Sequence, residues 1–201
     1  MTSPGQGDGG ATGRLPWTLS PEFAARVRFD EPLSRHTSWH VGGPVDLWFE
    51  PRDREDLAAF LRSLPPEMPV HWFGLGSNLL VRDGGLRGAA VETHGALSRL
   101  DRLAADTIYC EAGVPCARIA RQCVKWGLGS AEFFAGIPGT LGGALAMNAG
   151  AFGGGAIDAE NFGFDNDLSL RLVDAMEQHA GLFDAVGGVD DDDGIGFGLE
   201  V

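Results

Sequence analysis

One segment decides the fold class of this chain: residues 129–154, with the sequence GSAEFFAGIPGTLGGALAMNAGAFGG. Glycine recurs throughout it, and Glu132 is its only charged residue. An interior glycine costs roughly 0.5–1 kcal/mol relative to alanine in regular secondary structure, but it lets another group approach the backbone closely. The segment therefore predicts a buried loop rather than an ordinary helix or strand, with main-chain N–H groups that face a flat or an anionic ligand.

A membrane span and a flexible linker both fit this segment less well. A membrane span needs about 20 predominantly apolar residues, and the glycines, together with Pro138 and Asn148, leave too little hydrophobicity for one. A flexible glycine linker is polar and rich in serine, whereas this segment carries Phe133, Phe134 and Leu141. We therefore expect no membrane association from it.

The net charge of −13 is concentrated in the last quarter of the chain. Residues 151–201 hold twelve acidic residues and one basic residue, Arg171, so that they carry −11 and the first 150 residues carry −2. No basic surface for nucleic acid is indicated. The chain shows no signal-peptide pattern, and its three cysteines form no C-x-x-C pair, which predicts reduced thiols in a cytoplasm.

The periodicity of the remaining sequence predicts an α+β chain with two small lobes. Asp53 is a typical N-cap for an amphipathic helix, and Pro115 and Gly127 are typical of the start and the end of another. We expect helices within 17–27, over 52–64 and over 116–126, a half-buried strand over 45–49, and further strands over 70–73, 79–81, 86–91 and 107–111.

A second glycine-rich loop, GLGSN at residues 74–78, joins two of the predicted strands. It lacks the third glycine and the following helix of a Rossmann fingerprint, and it lacks the Gly-Lys-Ser/Thr of a P-loop. What remains is either a plain hairpin turn or a nest of N–H groups that binds phosphate together with Ser77 and Asn78. Two such loops, one in each lobe, predict a ligand held between the lobes.

Three motifs, in this order along the chain, resemble one known family. They are HTSWHVGGPVDLWFEP at 36–51, GLGSNLLVRDGGLRGAAV at 74–91 and AGVPCARIARQCVKWGLGSAEFFAGIPGTLGGALAMNAGAFGG at 112–154. Together they are similar to UDP-N-acetylenolpyruvoylglucosamine reductase. The resemblance implies the α+β, two-lobed FAD-binding domain of the vanillyl-alcohol oxidase type (PCMH-type), with FAD between the lobes.

By this resemblance, FAD contacts fall on both glycine-rich loops. FAD binding would be non-covalent, because neither loop contains a histidine or a cysteine. The residues implied for the diphosphate are Gly74, Leu75, Gly76, Ser77, Asn78 and Leu79. Those implied for the flavin and its phosphates are Ile137, Pro138, Gly139, Thr140, Gly142, Gly143, Asn148, Gly150 and Ala151. No metal site is predicted.

The resemblance also implies a reaction. NADPH would reduce FAD, and reduced FAD would reduce a nucleotide sugar, UDP-N-acetylenolpyruvoylglucosamine, to UDP-N-acetylmuramate for peptidoglycan synthesis. A serine would protonate the substrate, and an arginine and a glutamate would stabilise the charge that develops during the reaction.

The chain departs from the family after residue 154. Its only tyrosine is Tyr109 and its only lysine is Lys125, so the family's late Tyr-Arg and Gly-Ser-x-Phe-Lys-Asn-Pro motifs are absent, and we assign no catalytic residue. We divide the chain into an N-terminal extension (1–30), an FAD-binding domain (31–154, with lobes 31–93 and 94–154) and an acidic tail (155–201). The tail is either the product of truncation or a frame shift, or an unusual acidic segment.

We therefore expect a relative of the reductase that lacks the substrate domain and is inactive as this chain. Two alternatives stay open: a non-catalytic FAD-binding module or fragment, and another FAD-dependent oxidoreductase of the same fold. The sequence predicts no particular oligomeric state.

Overall fold

The structure is a computed structural model that describes residues 19–105, 107–129, 131–152 and 154–155. The strands are β1 (Arg28–Pro32), β2 (Pro44–Phe49), β3 (Val70–Phe73), β4 (Leu86–Glu92), β5 (Leu100–Arg102), β6 (Ile108–Cys110), β7 (Gly150–Ala151) and β8 (Gly154–Gly155). The helices are α1 (Pro21–Ala24), α2 (Arg54–Ser63), α3 (Cys116–Trp126) and α4 (Leu141–Ala146), with 3-10 turns at Leu33–Arg35 and Glu132–Gly136. The predictions for the N-terminal extension up to residue 18 and for the acidic tail beyond residue 155 lie outside the described residues.

The first lobe is built on a four-stranded sheet in the order β1-β2-β4-β3. β1 pairs antiparallel with β2, whereas β4 lies between β2 and β3 and is parallel to both. Because β3 and β4 are parallel, the loop that connects them cannot be a hairpin, and the hairpin alternative for residues 74–78 is wrong. The end of β3, where this loop begins, lies at the same sheet edge as the ends of β2 and β4.

Both faces of this sheet are covered. On one face, the ring of Phe49 stacks on Phe60 of α2 at 3.8 Å, and α2 begins where the Asp53 side chain accepts a hydrogen bond from the N–H of Asp56. On the other face, Trp48 is 1% exposed and packs edge-to-face against Phe73. The prediction that β2 is half-buried is therefore wrong, because apolar clusters cover both of its faces.

The second lobe packs α3 against the segment 131–151. The α3 residues Ile119 and Cys123 share one buried cluster with Phe133, Ile137 and Leu141. The predicted bounds of α3 are confirmed, and Gly127 closes the helix with a left-handed φ of 69°. β5 and β6 form an antiparallel pair, and Ile108 and Cys110 of β6 belong to the same cluster.

The segment that decides the fold class is buried over much of its length, but it is not a simple loop. It contains the 3-10 turn Glu132–Gly136, the helix Leu141–Ala146 and the strand Gly150–Ala151. Glycines lower the stability of α4. The first N–H groups of a helix have no partner within the helix, but in α4 two of them donate to carbonyls outside it, which stabilises the helix. Leu141 N–H donates to the carbonyl of Val114 at 2.9 Å.

The structure differs from the sequence-based expectations at two further points. Residues 79–81 form no strand, and Leu79 and Val81 pack instead against the cluster around Trp48. The strands β1 and β5 were not predicted, because RFDEP and LDR carry charged residues without apolar alternation.

Within the described ranges, no helix has the length and apolar character needed to cross a bilayer.

Candidate functional site

The two glycine-rich loops meet across the lobes. The Ser77 hydroxyl donates a hydrogen bond to the main-chain carbonyl of Pro138. Ser77 belongs to the loop after β3 in the first lobe, and Pro138 to the loop before α4 in the second. The two glycine-rich loops are therefore in direct contact, and a ligand held between the lobes stays a prediction.

The loop after β3 is fixed at its first residues by its neighbours. The carbonyl of Phe73 accepts hydrogen bonds from both the N–H (2.7 Å) and the hydroxyl (3.0 Å) of Thr93, which is buried. Three residues on, the carbonyl of Gly76 accepts from the N–H of Ser38 at 2.6 Å. Gly76 has a φ of +64°, and a Cβ added there would lie 1.8 Å from the carbonyl oxygen of His36. Only glycine fits this position.

A second contact between the lobes lies beside this loop. A Cβ added at Gly113, in the turn before α3, would lie 2.1 Å from the carbonyl oxygen of Thr93. The His94 ring nitrogen Nδ1 lies 3.2 Å from the carbonyl of the same Gly113. Thr93 thus contacts the first glycine loop through Phe73 and the second lobe through Gly113.

The second glycine-rich loop uses part of its backbone within its own lobe. The N–H of Gly142 donates to the carbonyl of Ala112 at 2.9 Å, beside the Leu141–Val114 bond. This N–H is already engaged and is not available to an anion. Gly142 is buried, and its lack of a side chain permits close packing at this point.

Thr140 carries a buried side-chain oxygen that has no hydrogen-bond partner within the part of the chain that the structure describes. The residue is 0% exposed, and its Oγ1 has no hydrogen-bond partner among the described residues. It precedes α4 as the N-cap, yet its side chain makes no capping bond. A buried hydroxyl without a partner costs about 1–3 kcal/mol. A ligand with a polar oxygen at this point, as in the phosphates or the ribityl chain of FAD, would satisfy it.

The remaining predicted site residues differ in their surroundings. Leu75 and Asn78 are exposed at the first loop, Gly74 is buried, and Leu79 is half-buried against the core. In the second segment, Ile137 is a core residue, and the carbonyl of Gly139 accepts from the N–H of Cys116 at 2.8 Å. Gly143 is buried in α4, Asn148 is exposed with a φ of 42°, and Gly150 and Ala151 form β7. Sequence reasoning missed the contacts of His36, Ser38, Thr93 and Gly113, although all four lie in or beside the quoted motifs.

Two carboxyl groups lie at the sheet edge from which the first loop emerges. Glu92, opposite Phe73 in the β3–β4 register, has its pKa raised to about 7 by burial and by the nearby charge of Glu50. Glu50 in turn accepts a hydrogen bond from Trp48 Nε1 at 2.9 Å and one from the Arg28 guanidinium. The pair places a titratable group beside the start of the loop.

Comparison with known proteins agrees with this geometry. Residues 45–178, more than half of the chain, match the FAD binding domain family. The chain belongs to this family. The match runs past residue 154, so the boundary that we set there between domain and tail stays a prediction.

Three similar curated proteins all carry the name UDP-N-acetylenolpyruvoylglucosamine reductase. The protein from Alkalilimnicola ehrlichii is 58% identical over 156 residues, which are 78% of this chain and 49% of that protein. The one from Nitrosococcus oceani is 58% identical over 128 residues, covering 64% and 43%. The one from Coxiella burnetii is 41% identical over 173 residues, covering 75% and 55%. The chain thus spans about half the length of the curated relatives it matches.

A solved structure supports the same fold. The crystal structure of UDP-N-acetylenolpyruvylglucosamine reductase from Thermus caldophilus superposes on this chain with a TM-score of 0.53, and the two sequences are 29% identical. The matched region covers 66% of this chain and 46% of the Thermus caldophilus chain. The family resemblance and the α+β, PCMH-type FAD-binding fold predicted from the three motifs are confirmed.

Proposed function

We propose that this chain is the FAD-binding part of an NADPH-dependent flavin oxidoreductase that reduces UDP-N-acetylenolpyruvoylglucosamine to UDP-N-acetylmuramate. The relatives that bear the reductase name support the substrate, and the family match supports the cofactor. The observation that carries the proposal is the buried Thr140 hydroxyl without a partner among the described residues, in a loop that contacts the first glycine loop through Ser77 and Pro138.

In this proposal the chain's own residues bind and orient FAD non-covalently. The loop 74–79 would hold the diphosphate with its main-chain N–H groups, that of Ser77 included, and with the Asn78 side chain, because the Ser77 hydroxyl proton is donated to Pro138. The segment 137–151 would line the flavin. When bound, FAD would supply hydride transfer, first accepting a hydride from NADPH and then giving one to the enolpyruvyl group. The Thr140 hydroxyl would donate a hydrogen bond to an oxygen of the cofactor.

We expect this chain to bind FAD without reducing the nucleotide sugar. The family's Tyr-Arg and Gly-Ser-x-Phe-Lys-Asn-Pro motifs are absent from its sequence, and catalytic side chains that stabilise developing charge provide much of the rate in such sites. A role in the cytoplasm, in cell wall biogenesis, cell shape, cell division and the cell cycle, would follow from the reductase reaction. We propose no nucleic-acid or membrane partner.

The test compares FAD binding by the wild-type chain, Thr140→Val and Thr140→Ser. After incubation with FAD and desalting, we expect the wild type and Thr140→Ser to keep a flavin absorbance spectrum. Thr140→Val is nearly isosteric and removes only the unsatisfied hydroxyl. We expect it to raise the stability of the FAD-free chain by about 1 kcal/mol and to weaken FAD binding about tenfold.

Three results would contradict the proposal. One is a folded wild-type chain that stays colourless. Another is a Thr140→Val chain that binds FAD as tightly as the wild type. The third, which bears on catalysis, is consumption of NADPH that depends on the enolpyruvyl nucleotide sugar, because it would show that the missing motifs are dispensable.

A further inference from the structure

His36 lies in the connection between β1 and β2 and is held by its ring. The imidazole stacks on the indole of Trp48 with 3.7 Å between ring centroids. Its Nε2 lies 2.9 Å from Oε1 of Glu31, whose side chain is only 9% exposed. The His36 side chain itself is 16% exposed. Two independent contacts therefore restrict the ring on the sheet face that carries Trp48.

The main chain at His36 contacts the first glycine loop. The carbonyl oxygen of His36 lies where a Cβ of Gly76 would be, at 1.8 Å from the ideal Cβ position. The N–H of Ser38 donates to the carbonyl of Gly76 at 2.6 Å. The ring and the backbone of one residue thus join the sheet core to the loop on which Ser77 bonds to Pro138.

We propose that His36 is a positioning residue for FAD binding: its ring, fixed by Glu31 and Trp48, holds the backbone of residues 36–38 against Gly76. The loop 74–78 then keeps its main-chain N–H groups and Ser77 in the binding conformation without FAD. This inference rests on the proposed function, because the affected loop is the one to which we assign the diphosphate. Preorganisation of this kind lowers the entropic cost of binding.

Two arginines also lie near the Glu31 carboxylate that contacts the His36 ring. Arg28 and Arg35 lie 3.8 Å and 3.6 Å from the Glu31 carboxylate. Among the residues that the structure describes, Glu31 thus has three basic neighbours, and two of them, His36 and Arg35, belong to the β1–β2 connection. Loss of the imidazole would remove the shortest of the three contacts.

The experiment compares His36→Ala with Phe60→Leu, a core substitution on the opposite face of the same sheet. Phe60 is 0% exposed and packs on Phe49, away from the glycine loop. Amide hydrogen exchange is followed in the FAD-free protein at Ser38 and at residues 74–78. Both variants are compared at temperatures equally far below their unfolding midpoints, so that global destabilisation cancels.

We expect His36→Ala to exchange at least tenfold faster at Ser38 and at residues 74–78, and to bind FAD at least fivefold more weakly. We expect Phe60→Leu to change neither quantity at matched stability. Equal exchange in the two variants would show that His36 is only a core residue and would overturn the proposal. If His36→Ala does not fold, His36→Phe, which keeps a ring on Trp48 and removes the Glu31 contact, is compared with the same control.

The outcomes of the two proposals are separable. A wild-type chain that does not bind FAD would contradict the proposed function, while the exchange rates at Ser38 and residues 74–78 would still decide the role of His36. Conversely, unchanged exchange in His36→Ala with FAD binding intact in the wild type would contradict the positioning role alone.

Discussion

Ser77 and Pro138 are 61 residues apart in sequence, and the side chain of the first donates a hydrogen bond to the carbonyl of the second. Each belongs to one of the two glycine-rich loops. A ligand in contact with both loops would bury the ends of this bond and would itself join the lobes. Loss of this hydrogen bond should therefore weaken FAD binding more than it destabilises the fold.

Ser77→Ala tests this dependence. We expect FAD affinity to fall about three- to tenfold, in line with the loss of one hydrogen bond, and the unfolding free energy of the FAD-free chain to fall by less than about 1 kcal/mol. FAD titration and thermal unfolding measure the two effects. Ser63→Ala is the matched control, since the Ser63 hydroxyl also donates to a carbonyl, that of Phe60 at the end of α2. Equal FAD affinities in the two variants would contradict the prediction.

Gly76→Ala should be much more damaging than Gly84→Ala. The added methyl at Gly76 would overlap the carbonyl of His36 in a left-handed backbone conformation, whereas a Cβ at Gly84 meets no atom within 4 Å. We expect Gly76→Ala to destabilise the chain by about 2–4 kcal/mol and to abolish retention of FAD on desalting. Gly84→Ala should stay within about 0.5 kcal/mol of the wild type. Chemical denaturation checks both values, and similar losses in both variants would be inconsistent with the packing at Gly76.

Asp56 anchors α2 to the N-terminal part of the first lobe. Arg26 donates two hydrogen bonds to its carboxylate at 2.7 Å and 2.6 Å, and Arg52 donates a third and a fourth. The Arg26 guanidinium holds the pKa of this buried carboxyl well below its usual range. Asp56→Asn should destabilise the chain by about 3 kcal/mol, because it removes the carboxylate charge beside the half-buried Arg26, whereas Arg52 keeps its ion pair with Glu22.

The pH dependence of this effect has a definite sign. A carboxyl whose pKa is depressed in the folded state stabilises it above the unfolded pKa of about 4, and this stabilisation is lost as the pH falls further. The gap in unfolding free energy between wild type and Asp56→Asn should therefore narrow below pH 4. Glu55→Gln, at an exposed position in the same turn, is the control and should show no such gap at neutral pH.

Glu92 should make the unfolding free energy depend on pH in the opposite direction. Burial and the neighbouring Glu50 raise its pKa to about 7, so the folded chain binds more protons than the unfolded chain between about pH 4.5 and 7. Stability should therefore fall as the pH rises through this range, by about 1 kcal/mol once solvent screening of this half-buried group is included. Glu92→Gln should remove this slope, which denaturation at pH 5 and pH 8 measures. A slope that persists in the variant would assign it to other groups.

The elements that the sequence predicted well are those with local signals. Pro115 and Gly127 define α3 because they act within one turn of the helix, and Asp53 defines the start of α2 for the same reason. The three motifs were sufficient for the family because their order and spacing are specific. Local signals act over a few residues, so they located these helices but could not show how the strands pair.

The features that were missed depend on contacts between distant residues. The parallel pairing of β3 with β4 excludes a hairpin, and nothing in GLGSN reports the direction of the next strand. The engaged N–H of Gly142 depends on Ala112, thirty residues earlier in the chain. The motif indicated Thr140 as a site residue, but only the packing around it shows that its hydroxyl has no partner among the described residues.

The cysteine thiols of the chain all lie in the second lobe and can therefore report on its opening. Cys110, Cys116 and Cys123 are all the cysteines of the chain, and all three are buried in the cluster around α3. Burial also raises the pKa of Cys110, so that little reactive thiolate forms while the lobe is folded. The rate of alkylation by a thiol reagent therefore reports the opening of the second lobe alone, because the rest of the chain contains no cysteine that could react.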